Sequence, residues 1–118
     1  MDTVIDSPRK FQLWRAVVNH SQVLLWSTKG NGYRTRIEVL FKSVFAVKMF
    51  TNMRGLRVRE GGESDVAAVL GECGVQALSP GLRVFVLADG GGFEGWIIAG
   101  SVFVSEDDGE YDEPSTLL

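Results

Sequence analysis

The residues able to do chemistry are few, and their spacing excludes more than it allows. His20 is the single histidine and Cys73 the single cysteine. One histidine rules out the zinc sites that need two. His20 stands beside Ser21, but neighbours on an extended chain point to opposite faces, so the pair reads as turn residues and not as base and nucleophile. Cys73 falls on the apolar stripe of a helical pattern, where a free cysteine is a small buried hydrophobe. Asp89-Gly90-Gly91-Gly92 lacks the Lys-Ser/Thr pair of a phosphate loop and precedes a strand pattern, so it reads as a hairpin connection. Glu106, Asp107, Asp108, Glu110, Asp112 and Glu113 place six carboxylates in eight residues, out of register with a calcium loop. They read as a solvated or partner-binding segment. Neither a cofactor nor a metal is expected, and the chain is read as non-enzymatic.

A second group is basic. Arg34, Arg36, Arg57, Arg59 and Lys48 can share one outward sheet face, with Tyr33, Trp14 and Trp26 as stacking surfaces. No ribonucleoprotein motif accompanies them and the pI is about 5.1, so nucleic acid is not the expected partner. The net charge of −3 hides a division: residues 1–60 hold 11 of the 12 Lys and Arg and only 4 of the 15 Asp and Glu. The two halves either neutralise each other within one fold or present charge to a partner. In the second case the acidic half would steer toward a basic protein.

These residues need a scaffold, and 118 residues build one domain. Tyr33 to Phe41, Val44 to Phe50 and Leu56 to Arg59 alternate or are rich in β-branched and aromatic residues, which predicts three neighbouring antiparallel strands. Asn31-Gly32 predicts a two-residue hairpin turn between 22–29 and 33–41. Phe11 to Val18 pairs with 22–28 through the 19–21 turn. Lys42-Ser43 is a tight turn or a bulge in one bent strand. Val66, Val69, Leu70 and Cys73 repeat at helical spacing, which predicts a helix over 65–73 with Ser64 as N-cap and Gly74 beyond its end. Leu82 to Ala88 and Phe93 to Ser105 are further strands, with Gly95 and Gly100 marking bends or close backbone approach.

The fold class is therefore mostly β: an antiparallel curved sheet or sandwich of about seven strands with one short helix. Residues 1–9 are expected to form a flexible leader, 10–105 the domain, and 106–118 an acidic, partly disordered tail. The N-terminus lacks a secretory pattern and no run is long enough to cross a bilayer, which predicts a cytoplasmic protein.

The stretch from His20-Ser21-Gln22-Val23-Leu24-Leu25 through Phe41-Lys42-Ser43-Val44 to Leu56-Arg57-Val58 resembles small uncharacterised bacterial all-β proteins, some of which are similar to immunity proteins of polymorphic toxin systems. The resemblance covers about half the chain, in strand pattern more than in signature residues, and transfers no functional residue. It implies a non-catalytic binder, in the narrowest form an antidote to a basic toxin. Asp107, Asp108, Glu110, Asp112, Glu113, Trp96 and Trp14 are the expected partner-binding residues. The apolar surplus of Phe93 to Val104 points to a homodimer with Trp96 or Trp14 near the contact. The alternative is a small ligand-binding β protein or enzyme with a cavity that the sequence does not advertise.

Overall fold

The computed structural model describes residues 3–17, 21–30 and 32–110. It is mostly β, with eight strands and one helix. In chain order these are β1 (Thr3–Val17), β2 (Gln22–Ser27), β3 (Arg36–Lys42), β4 (Ala46–Lys48), β5 (Asn52–Glu60), α1 (Glu63–Cys73), β6 (Arg83–Ala88), β7 (Glu94–Ala99) and β8 (Ser101–Asp107). All pairings are antiparallel, in the order β4-β7-β6-β5-β1-β2-β3-β8.

The two ends of that order are linked through the chain. Only residues 43–45 separate β3 from β4, and only Gly100 separates β7 from β8. β3 pairs with β8 while β4 pairs with β7, so 36–48 and 94–107 form one bent ribbon. From Lys42↔Ser101 to Ala46↔Ile98, four residues on one strand answer three on the other, which makes a bulge. Ser43 absorbs it at φ 56°. Across the bend the Gly100 N–H donates to Lys42 O at 2.9 Å and the Phe45 N–H to Ile98 O at 2.8 Å. The curved sheet thus bends back on itself but stays open: among the described residues its end strands, β4 and β8, do not pair with each other.

Bending gives the sheet an inside, and the period of 2 sorts residues between its faces. In β6, Phe85 and Leu87 enter the main core while Val84 and Val86 face out; in β7, Ile97 and Ala99 enter it while Trp96 and Ile98 face out. Helix α1 lies over the outer group through Val69, with Val66 and Cys73 beside it. This is why Phe93 to Val104 is apolar on both faces: part of the expected surplus is covered by the chain's own helix. Leu70 is only half-buried and outside that cluster, so three of the four predicted contact residues pack there.

Several expectations are corrected. Residues 3–9 are not a loose leader but the first half of β1, paired with β5 from Thr3↔Arg59 onward. The lack of alternation in Thr3 to Arg9, together with Pro8, concealed a strand whose register with β5 shifts between Thr3 and Ile5 and again between Ser7 and Lys10. The three strands around β3, β4 and β5 are not neighbours: β1 and β2 lie between β3 and β5, and β4 pairs with β7. The helix starts two residues earlier than expected. Gly62, not Ser64, is the N-cap, and the Asp65 carboxylate accepts its N–H at 2.9 Å. Gly74, in the left-handed region at φ 71°, ends it.

Other expectations hold. Gly30 and Tyr33 exchange backbone hydrogen bonds of 3.1 and 2.9 Å, and Gly32 has φ 90°, as a two-residue turn requires; Asn31 itself lies outside the described residues. Asp89 closes the β6–β7 hairpin, accepting the N–H groups of Gly91 and Phe93. Among the described residues no helix is long and apolar enough to cross a membrane.

Candidate functional site

The charged residues that the sequence offers to a partner are largely used within the chain. Arg36 is 1% exposed, and its guanidinium forks onto Asp107 at 3.0 and 3.1 Å. Arg59 donates to Asp65 at 2.7 and 3.2 Å, Lys48 to Glu72 at 2.7 Å and Lys29 to Glu110 at 2.8 Å. Arg57 meets Asp6 at 3.3 Å. Arg34 is exposed. The expected single basic face therefore does not exist: its members sit on three separated strands and the β2–β3 connection, and four of the five hold carboxylates. Four of these five pairs join the basic first half to the acidic second half, so part of each half's charge is used against the other within the fold.

The acidic segment divides likewise. Asp107 and Glu110 serve Arg36 and Lys29, Asp108 is exposed, and Asp112 and Glu113, like His20, lie outside the described residues. Trp96 is half-buried and donates its Nε1–H to Glu72 at 3.2 Å. Trp14 is 44% exposed and stacks on Trp26 at 3.8 Å between ring centroids. Trp96 and Trp14 stand on β7 and β1, with β6 and β5 between them.

Sequence reasoning missed Arg9, assigned to the leader. It is buried, and its guanidinium donates to Ser27 Oγ and O, Thr28 O, and Thr35 Oγ1 and O, with the Tyr33 ring 4.3 Å away. It ties the β2–β3 connection to β1. No apolar or helical period signals such a residue.

The Asp65 contacts have a consequence for pH. The Arg59 hydrogen bond, reinforced by the Gly62 N–H, holds the Asp65 carboxyl below its ordinary range, and Lys48 and Trp96 lower Glu72 in the same sense. A carboxyl depressed in the folded state contributes stability that is fully present above its unfolded pKa and is lost as pH falls through the folded value. The urea midpoint is expected to drop on acidification below about pH 4, and Asp65→Asn to flatten that drop. An unchanged acid limb in Asp65→Asn would mean that the capping contact is not maintained in solution.

Among the described residues, large apolar side chains stand exposed around β4 (Phe45, Val47, Phe50), on β8 (Phe103, Val104) and singly at Trp14 and Tyr33, and those around β4 adjoin a groove. Phe45 is 58%, Val47 46% and Phe50 52% exposed, Phe50 stacking on Phe93 at 3.9 Å. Val47 pairs with Ile97, and directly paired residues share a sheet face. Ile97 is completely buried in the core while Val47 is half open, so the interior face of the sheet reaches solvent here. The cause is local. Among the described residues, the last backbone hydrogen bond between the β1–β2 hairpin and the bent ribbon is the one the Val44 N–H donates to Ser21 O at 2.8 Å. Beyond that point β4 diverges, and among the described residues it pairs with β7 alone. A groove of about 260 Å³ opens between Ala16, Gln22 and Val23 on one wall and Val44, Phe45 and Val47 on the other. A larger depression of about 370 Å³, between Asp6, Arg54, Arg57 and Gly90, has a more polar lining and carries an ion pair across its rim.

The arrangement at β4 can hold an apolar surface of another molecule and offers backbone hydrogen-bonding groups beside it. No protein-family model, curated protein or solved structure matches the chain, so the reading of this site rests on its geometry.

Proposed function

We propose that the chain is a non-enzymatic protein-binding module whose contact surface is the β4 region. The observation that carries this reading is the exposure of Phe45 and Val47 in the wall of the groove, with Phe50 exposed a few residues on; Phe103 and Val104 of β8 are the other exposed apolar pair. Contiguous exposed apolar surface marks interaction sites. The narrower reading, an immunity protein of a bacterial cytoplasm, is supported by the sequence resemblance alone. The acidic segment lends a basic partner less support than its composition suggested, because Asp107 and Glu110 hold the chain's own cations.

The test places a photo-crosslinking amino acid at position 45 or 103 of the chain in its native cell. A discrete protein adduct is expected from 45. The purified adduct partner should then bind Phe45→Asp at least tenfold more weakly than the unaltered chain, a loss of about 1.4 kcal/mol. Phe45 is exposed, so the substitution should leave stability within about 0.5 kcal/mol. Adducts from 103 alone, or none from either, would overturn the assignment of the surface.

A further inference from the structure

We infer that the free edge of β4 accepts an extended strand from a protein partner, one that carries apolar side chains at alternate positions and carboxylates between them. The inference rests on the protein-binding reading above and adds the mode and the chemistry.

The mode follows from the backbone. An edge strand presents every second residue's N–H and C=O outward, an open template for another strand. β4 keeps one such side free among the described residues, and the groove runs along it. A strand laid there would hydrogen-bond to residues 46–48. Its inward side chains would cover Val47 and reach Val23 and Ala16, giving the core cover where Val47 opens to solvent. Main-chain bonds supply affinity in such complexes, and pockets for alternate side chains supply specificity.

Area decides against a second copy as the occupant. A stable dimer buries upward of roughly 1,000 Å² in total. Three exposed side chains and a three-residue edge strand fall well short of that, whereas an added strand needs little area because its hydrogen bonds are to the backbone. Charge decides the remaining chemistry. Lys42 and Lys48 flank the β4 wall in sequence, and Arg15 precedes Ala16 on the other. Arg15 and Lys42 hold no carboxylate among the described residues: Lys42 lies over the Phe103 ring, and the ion pairs are all made by other cations. Solvent-facing carboxylates on the incoming strand would therefore meet a basic rim.

The probe is a synthetic heptapeptide alternating glutamate or aspartate with valine. In one sample it is titrated into the full chain; in a parallel sample it is tethered to the chain's C-terminus by a Gly/Ser linker. The tether raises its effective concentration to the millimolar range. Amide spectra and hydrogen exchange report on residues 46–48 and 22–23. Protection of the β4 amides by the tethered peptide is expected. It should be lost when alternate peptide nitrogens are methylated, lost in Val47→Asp, and weakened at least tenfold when lysine replaces the acids. No protection even when tethered, or equal protection by the methylated peptide, would overturn strand addition. Concentration-dependent β4 protection without any peptide, with a dimer in sedimentation, would assign the edge to a second copy and overturn it equally. If crosslinks from position 45 persist while the tethered peptide fails, the protein-binding reading stands and only the strand mode falls; if the crosslinks fail too, both fall.

Discussion

Arg36→Met is expected to cost about 3–5 kcal/mol, a large part of a stability that for a domain of this size lies near 5–15 kcal/mol. The guanidinium is 1% exposed, forks onto Asp107, and stands 3.8 Å from the carboxylate of Glu38, itself fully buried. Gly109 packs over it so closely that a Cβ there would lie 2.5 Å from Nη2. Removing the cation leaves two carboxylates near one another in a site with little water. Burying charge without its partner is what makes such deletions expensive, even where the intact pair contributes little net stability. The urea midpoint should fall steeply with an unchanged m-value, while Arg34→Met, on an exposed side chain, should move it by no more than about 0.5 kcal/mol. Combining Arg36→Met with Glu38→Leu should recover part of the loss, because the more deeply buried of the two carboxylates is then gone. Equal, small effects of Arg36→Met and Arg34→Met would show that the end of β3 is open to water.

The second large effect is expected at Gly95, where β7 is flanked by β6 and β4. A Cβ at 95 would sit 2.0 Å from the carbonyl oxygen of Lys48 and 2.9 Å from the Phe93 ring. The ring can turn away, but the carbonyl is backbone, so β4 must leave β7 or the strand must bulge. Overpacking of a fitted site costs about 1–3 kcal/mol and occasionally more, and Gly95→Ala is expected at or beyond the upper end of that range. It should also raise amide exchange across 46–48, because among the described residues β4 has no second partner strand to hold it. The control is Gly71→Ala. Gly71 lies on the exposed side of α1 with open space where a Cβ would go, so the same chemical change should stabilise by up to about 1 kcal/mol. Opposite signs for the two substitutions are the expected result. A neutral Gly95→Ala would mean that β4 is not seated on β7, and with it the groove.

Both predictions concern residues whose roles sequence reading handled unequally. Gly95 was legible as a place of close approach, because a glycine inside an apolar strand pattern marks a point where a side chain has no room. Arg36 was not. Its alternation with Ile37 and Glu38 placed it on the face away from the core, which is correct, but that face is covered near the strand end. The same limit applies to Trp96 and Ile98, whose outward face reads as surplus in the sequence and lies under α1 in the fold. For the candidate site, Phe45 and Val47 read in the sequence only as members of an ordinary strand.

Local features were legible in the residues alone: strands by their period of 2, the turn at Gly32, the helix ending at Gly74, and an irregularity at Lys42-Ser43. Each depends on residues close together in the chain, whose spacing carries the physics. Long-range packing set the rest: which strands are neighbours, that Thr3 to Arg9 is a strand, that 36–48 and 94–107 form one bent ribbon, and that Arg36 pairs with Asp107. It also left β4 with its free edge. Those outcomes turn on pairings between residues tens of positions apart, where many registers satisfy the same alternation and the choice among them belongs to the packing of the whole sheet.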